Sequence, residues 1–403
     1  MKILMLSSTF PYPPSLGGTP VRTFNLLKYL TQNHEITLIT QKGLDVSASQ
    51  IEELQQWVKE LKIFPRRDSV EKNLNSKIKR LIQFWREGTP PNVLFIYNPE
   101  IQQWLDLAVA QKSYDVITCE HSVNQIYVRP EWKQALKTVV NIHSSVYKTC
   151  LNQLETNTAE NPLRDRFYLP LLKRYEQKFC QKFSNLVVTT EEDRTQIQLF
   201  NPPGEITIIP NGVDLELFPY RQVDPGGHQL IIAGLMDYVV NIDMARFFSL
   251  EILPILQEKY PDTTLVILGS KPSPAVLELA QRPGITVTGR VPSMAEYLHQ
   301  ATVCVVPMRS GFGIKNKTLE AMAAGVPVVA SDRGLEGLKV DSSDVPIRAL
   351  RANRIEEYVT QISRLFEDAQ LRAELSRNGR DLIEQEYTWE QSGKRYEEVL
   401  SKR

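Results

Sequence analysis

The sequence predicts an α/β protein built from two doubly wound, Rossmann-like domains, and three observations carry that expectation. At 403 residues the chain is too long for one compact core. Short, continuously apolar segments alternate with amphipathic helical ones, the pattern of strands buried on both faces of a parallel sheet. The alternation breaks once, at "VDLELFPYRQVDPGGHQ", where Pro and Gly accumulate and the period is lost.

In chain order, "KILMLSS" reads as the first strand and "PYPPSLGG" as a loop. "TPVRTFNLLKYLTQ" reads as a helix with a stripe of Val21, Phe24, Leu27 and Leu30. "EITLIT" is the next strand. "YDVITCEHS" and "KTVVNIHSS" are strands that each end in a His-containing turn, and "SNLVVTTEED" and "GEITIIPNG" continue the series. A second series follows the linker near Pro219–Gly227: "QLIIAGLM", "TTLVILGS", "GITVTGRV", "ATVCVVPM" and "VPVVAS". The expected domains are residues 1–218 and 219–385. The tail, 386–403, reads as an amphipathic helix that packs back on the first domain. Ligands of such sheets gather at the carboxyl ends of the strands, so the expected site is a crevice between the two halves.

Composition narrows the partners. The chain is 42% hydrophobic and 23% charged with a formal net charge of zero, so no global field attracts nucleic acid and any anion site is local. No stretch resembles a signal peptide or approaches the roughly 18 apolar residues of a membrane span. Cys119, Cys150, Cys180 and Cys304 are far apart, which favours buried reduced thiols. The expectation is a cytoplasmic protein, peripheral to the inner membrane face if a basic stretch docks there. That stretch, Lys62–Arg86, carries Arg66, Arg67, Lys72, Lys77, Lys79 and Arg80 against Asp68 and Glu71. It reads either as a solvated helical face or as a patch for anionic lipid, with Phe84 and Trp85 as interfacial anchors.

Several strand-end loops hold chemistry. Gly17 and Gly18 stand between a strand and a helix N-terminus, where unpaired N–H groups favour an anion. The loop is not G-x-G-x-x-G, and Gln41 and Lys42 end the next strand where a dinucleotide fold would place an acid. Glu120, His121 and His143 sit at strand ends as candidates for hydroxyl binding or proton transfer. Neither histidine has a third ligand at metal spacing and there is no D-x-D pair, so no metal is expected. In the second half, Gly234 occupies a strand–helix turn and Asn241 or Asp243 reads as a helix cap. Gly269, Lys271, Gly289 and Arg290 lie in further strand-end loops. The most specific stretch is "MRSGFGIKNKTLEAMAAGVPVVAS". There Gly311 and Gly313 admit a ligand to the backbone, Lys315 and Lys317 bring charge, and Glu320 offers paired acceptors to a vicinal diol such as ribose.

The order of these segments resembles the retaining glycosyltransferases of the GT-B fold, specifically family four, over nearly the whole chain. "SSTFPYPPSLGGTPVRTFNLLKYL" looks like that family's opening, "IIPNGVDLELF" like its interdomain strand and turn, and "LEAMAAGVPVVAS" like its donor-site helix and strand. Pro307, Arg309, Gly311, Gly313, Lys315, Lys317 and Glu320 follow the pattern of a bacterial exopolysaccharide subgroup, and "DYVVNIDMARFF" fits it too. The resemblance implies two Rossmann-like domains facing a central cleft. It also implies a UDP-, GDP- or ADP-linked sugar on the second domain and a glycan or lipid-linked acceptor on the first. The implied chemistry is hexosyl transfer with retention of configuration and neither metal nor cofactor.

Carried over, His121, Lys315, Lys317 and Glu320 would be catalytic, with Glu120 and His143 as further acceptor-side candidates. The donor would meet Gly17, Gly18, Arg22, Gly234, Asn241, Gly269, Arg290, Gly311, Phe312, Gly313 and Leu319 besides the two lysines and Glu320. Two positions depart from the family. Its first acid of E-x7-E is Phe312 here, and Asp237 stands where the family holds diphosphate with Arg and Lys. The phosphate-neutralising charge is therefore expected on Lys315 and Lys317. Alternatives are a catalytically silent nucleotide-sugar-binding subunit, a GT-B sugar-nucleotide epimerase and an NAD-dependent oxidoreductase.

Overall fold

The computed structural model describes residues 1–14, 17–66 and 82–402, and the chain divides into two compact units. The first comprises Met1–Leu154, Ala159–Pro210 and Ser392–Arg403; the second comprises Asn211–Gln391 with Glu155–Thr158.

The first unit is built on a parallel sheet of β1 (Lys2–Ser7), β2 (Glu35–Lys42), β3 (Glu60–Pro65), β4 (Val116–Glu120), β5 (Lys137–Ile142), β6 (Asn185–Val188) and β7 (Glu205–Ile208). Their spatial order is β3-β2-β1-β4-β5-β6-β7. Central strands such as β4 are buried at every position, which is why they read as unbroken apolar runs. The order reverses between β1 and β4, the point at which sheets of this kind gather ligands beyond the carboxyl ends of their strands. The helix Gly18–Leu30 covers one face with Phe24, Leu26, Leu27 and Leu30.

The expected return of the tail is present. Tyr396, Val399 and Leu400 enter the same core as Phe24 and Leu27. Gly393 lets the tail approach closely, because a Cβ there would lie 2.2 Å from the Tyr29 ring.

The second unit repeats the plan with β8 (Gln229–Ala233), β9 (Thr264–Leu268), β10 (Ile285–Gly289), β11 (Val303–Val306), β12 (Val328–Ala330) and β13 (Leu350–Arg351). The order is β10-β9-β8-β11-β12-β13, all parallel, with its reversal between β8 and β11. The stretch expected as a linker is anchored in this unit. The Val213 N–H donates to Tyr387 O at 2.7 Å, and buried Arg221 donates to Ala301 O at 2.8 Å. The units therefore join at Pro210–Asn211 rather than after residue 218. A Pro- and Gly-rich composition marked loss of period there, not loss of contact.

All four cysteines are free and buried. Among the described residues no helix is long and apolar enough to cross a membrane. Most of the basic Lys62–Arg86 stretch, residues 67–81, lies outside the described residues. Of its two expected anchors, Phe84 is fully buried against the Tyr168 ring, so only Trp85 remains exposed.

Candidate active site

In the second unit the chemistry gathers at the β8/β11 reversal. β8 runs into Gly234, whose N–H donates to Leu268 O at 3.0 Å, holding it against the end of β9. Gly269 has φ 150°, and a Cβ on it would fall 1.7 Å from Gly234 O. Gly269→Ala is therefore expected to cost more than about 3 kcal/mol, read as a lower urea midpoint, because the clash is with backbone. A Cβ on Gly234 would in turn meet the Asn241 amide at 3.0 Å and Lys317 Nζ at 3.2 Å.

The expected cap is corrected here. Tyr238 is the N-cap of the helix Val239–Phe247, and Asn241 lies inside it. The Asn241 amide donates from Nδ2 to Leu235 O at 2.9 Å and accepts from Lys317 Nζ on Oδ1. Asp243 is paired with Arg309.

The loop after β11 turns through Gly311 at φ 99° and Gly313 at φ 82°, both in the left-handed region that favours glycine. It then enters the helix Asn316–Ala323 with Lys315 as N-cap. The two lysines have different fates. Lys315 is buried, donating to Gly313 O and to Glu336 Oε2 at 3.3 Å. Glu336 also accepts from Gly313 N–H at 3.2 Å and from Arg333 at 3.3 Å. This corrects the expectation of two lysines free for phosphate, because the Lys315 ammonium is held inside its own loop.

Lys317 instead projects beside Gly234. Burial and the nearby Lys315 push its ammonium down to about 7. Glu320, one helical turn on and partly exposed, makes no side-chain hydrogen bond or ion pair among the described residues. Burial pushes its carboxyl up to about 7, against the pull of Lys317.

Three other donor-side candidates stand apart. Leu319 is fully buried and its N–H is bonded to Lys315 O, so it is core rather than ligand contact. Phe312 carries the Arg333 guanidinium 4.3 Å from its ring centre. Arg290 is exposed beyond β10, at the sheet edge two strands from β8.

In the first unit, Gly17 (φ 120°) is the N-cap of the helix Gly18–Leu30, and a Cβ on either glycine would meet nothing within 4 Å. Arg22 is corrected from ligand contact to buried tie. Its guanidinium donates to Asn141 Oδ1 at 2.9 and 3.1 Å, to Ile209 O at 2.9 Å and to Pro210 O at 3.1 Å. Glu120 is corrected likewise. It accepts from Asn141 Nδ2 at 3.0 Å and from the Tyr396 hydroxyl at 2.7 Å, wholly within the core.

His121 turns the other way at φ 106°, and its Nδ1 accepts from the Val123 N–H at 3.3 Å, which leaves the proton on Nε2. Burial lowers it to about 4, so it is neutral at working pH. Its ring lies 4.8 Å from that of His143. The structure also brings in Asn141, Tyr396 and Glu336, which sequence reasoning missed. They carry no motif: Asn141 stands in an apolar strand, Tyr396 in the charged tail helix and Glu336 in a glycine-containing turn. Among the described residues no group of three or more His, Cys, Asp or Glu side chains is arranged to hold a metal ion.

Two such α/β units, each with polar groups at its strand-order reversal, define a glycosyltransferase of GT-B architecture. The chain belongs to glycosyltransferase family 4: the pattern described as Glycosyltransferase Family 4 matches residues 16–217, and that of Glycosyl transferases group 1 matches residues 227–368. An uncharacterized 44.6 kDa protein in cps region of Klebsiella pneumoniae is 21% identical over 388 residues, covering 91% of this chain and 93% of that protein. The GDP-mannose-dependent alpha-(1-6)-phosphatidylinositol monomannoside mannosyltransferase of Mycolicibacterium smegmatis is 28% identical over 238 residues. That match covers 51% of this chain and spans 58% of the relative. Among solved structures, Anabaena HepE in complex with UDP and glucose superposes with a TM-score of 0.67 at 15% identity, covering 100% of both chains, which shows the fold.

Proposed function

We propose that the protein transfers a sugar from a nucleotide-diphosphate sugar to the hydroxyl of a glycan or lipid-linked acceptor, with retention of configuration and without a metal ion. The observation that carries this reading is the Lys317–Glu320 pair at the β8/β11 reversal. It offers an ammonium held by Asn241 and a carboxylate with no hydrogen-bond or ion-pair partner among the described residues. Glu320 accepts the two hydroxyls of the donor ribose, and Lys317 meets the diphosphate. As the bond from C1 to the phosphate oxygen breaks, charge grows on the leaving diphosphate, and a cation fixed in a water-poor site stabilises that charge. The new bond forms between C1 and the acceptor oxygen, whose proton passes to the departing phosphate, so no enzyme nucleophile is needed. Neutral His121, in the first unit, serves the acceptor side. The names of the relative and the neighbour, one GDP-mannose-dependent and one bound to UDP and glucose, support a nucleotide sugar as donor.

A thermal-shift panel of UDP-, GDP- and ADP-sugars tests this reading. At a concentration about a hundredfold above Kd, the correct donor adds about 2.7 kcal/mol, or roughly 5–10 °C. Glu320→Gln is expected to abolish most of that shift. No shift with any sugar nucleotide would overturn the proposal.

A further inference from the structure

The helix Pro162–Cys180 presents an outward face that the fold does not need. Leu163 is 80% and Phe167 50% exposed, and Pro170 is exposed on the same side. At about 100° per residue these three fall within about 60° of one another. Arg166 and Lys173 flank the stripe on one side, Arg164 and Lys178 flank it on the other, and Arg174 continues it.

The helix has only two acids. Asp165 is buried beside Arg164, and Glu176 is buried on the inner face, so the outer face carries bases without acids. Arg166, Lys173, Arg174 and Lys178 have no ion-pair partner among the described residues. The Phe84–Tyr168 contact, with ring centres 5.2 Å apart, sets the neighbouring helical residues 82–87 against this helix. That neighbour leaves Ile82 51% and Trp85 64% exposed.

We infer that this face is a docking surface for an anionic lipid bilayer. Leu163, Phe167 and Pro170, exposed along one stripe and flanked by Arg166, Lys173, Arg174 and Lys178 without ion-pair partners among the described residues, match the arrangement of a helix lying in a membrane interface. The apolar side chains enter the acyl boundary while the long bases reach the headgroups. A purely polyanionic partner would draw on the bases alone and give no place to Leu163 and Phe167. The helix is also tied to the site loop. Glu176 on its inner face accepts from Ser145 Oγ at 2.5 Å and from Val146 N–H at 2.8 Å, in the turn that follows His143. Docking therefore holds the β5 loop at the bilayer, where a lipid-anchored acceptor would be met. The surface itself does not depend on the donor reading.

The test is sedimentation of the full chain with phosphatidylcholine vesicles, with and without about 30% phosphatidylglycerol, at about 0.1 M salt. The protein is expected to sediment only with the anionic vesicles. Arg166→Glu/Arg174→Glu and Leu163→Ser/Phe167→Ser are each expected to weaken partitioning at least about tenfold. The thermal shift given by the sugar nucleotide should be the same in both variants, which shows that they are folded and reads the donor site separately. Equal binding to neutral vesicles, no binding to anionic ones, or wild-type binding by the charge-reversed variant would each overturn the inference. So would a dimer in solution that Leu163→Ser/Phe167→Ser dissociates, because the face would then serve a second copy of the chain.

Discussion

Lys317→Met is expected to make the protein more stable and nearly inactive. Burial holds the folded-state ammonium near 7, against its ordinary 10.5, so the charged form is disfavoured in the fold. Between these values the unfolded chain binds more protons than the folded one, and stability rises with pH from about 7 to about 10.5. The penalty is fully present below pH 7, and that is where its removal helps most. A gain on the order of 1–2 kcal/mol would raise Tm by about 2–6 °C, and it should fade towards pH 10.5. Over the same change kcat/KM should fall by about two to three orders of magnitude, with most of the loss in kcat if the ammonium acts on the leaving diphosphate. In the unaltered protein, donor affinity should decline as pH rises above about 7, because the free ammonium loses its proton there. Calorimetry over pH 6–9 together with steady-state kinetics checks all of this. A loss confined to KM would leave Lys317 as a ground-state contact. Glu320 has the opposite sign: its raised carboxyl makes stability fall as pH rises from about 4.5 to about 7.

Arg22→Ala should be the most damaging single change in the first unit. It strips donors from Asn141, Ile209 and Pro210 at once and leaves the Glu120 carboxyl without its nearby cation. Loss of one partner from a buried charged network costs about 3–5 kcal/mol. For a unit of this size that lowers Tm by roughly 10 °C, measurable by calorimetry. Arg22→Lys should recover less than half, since a single ammonium cannot reproduce a planar fork bonded to three residues.

The alternation of strands and helices was legible because parallel strands buried on both faces leave unbroken apolar runs. The returning tail was legible because one face of its helix is apolar. Strand order was not, since it depends on pairing between distant segments, and so the positions of the two reversals emerged only in three dimensions. Within the site, sequence narrowed the candidates but could not choose between close neighbours. Glu120 and His121 are adjacent at a strand end, where successive side chains point to opposite sides. One joined the core network and the other turned away from it. Lys315 and Lys317 are two residues apart at a helix start, about 200° around the axis, and Glu336 captured the first. Phe84 and Trp85 were separated in the same way. Glu336 and Asn141 carried no signal because a lone polar residue looks the same whether solvent or a buried partner awaits it.

The contact of Tyr396 with Glu120 also bears on the order in which the protein is made. The first two hundred residues leave the ribosome with a core that still lacks Tyr396, Val399 and Leu400, and with Glu120 short of the Tyr396 hydroxyl. The second unit, the unbroken run Asn211–Gln391 together with Glu155–Thr158 from earlier in the chain, has its strands in hand earlier. The unit synthesised first is thus completed last. Until residues 392–402 arrive, the nascent chain presents an open apolar seam along the helix Gly18–Leu30, a surface suited to chaperones during synthesis.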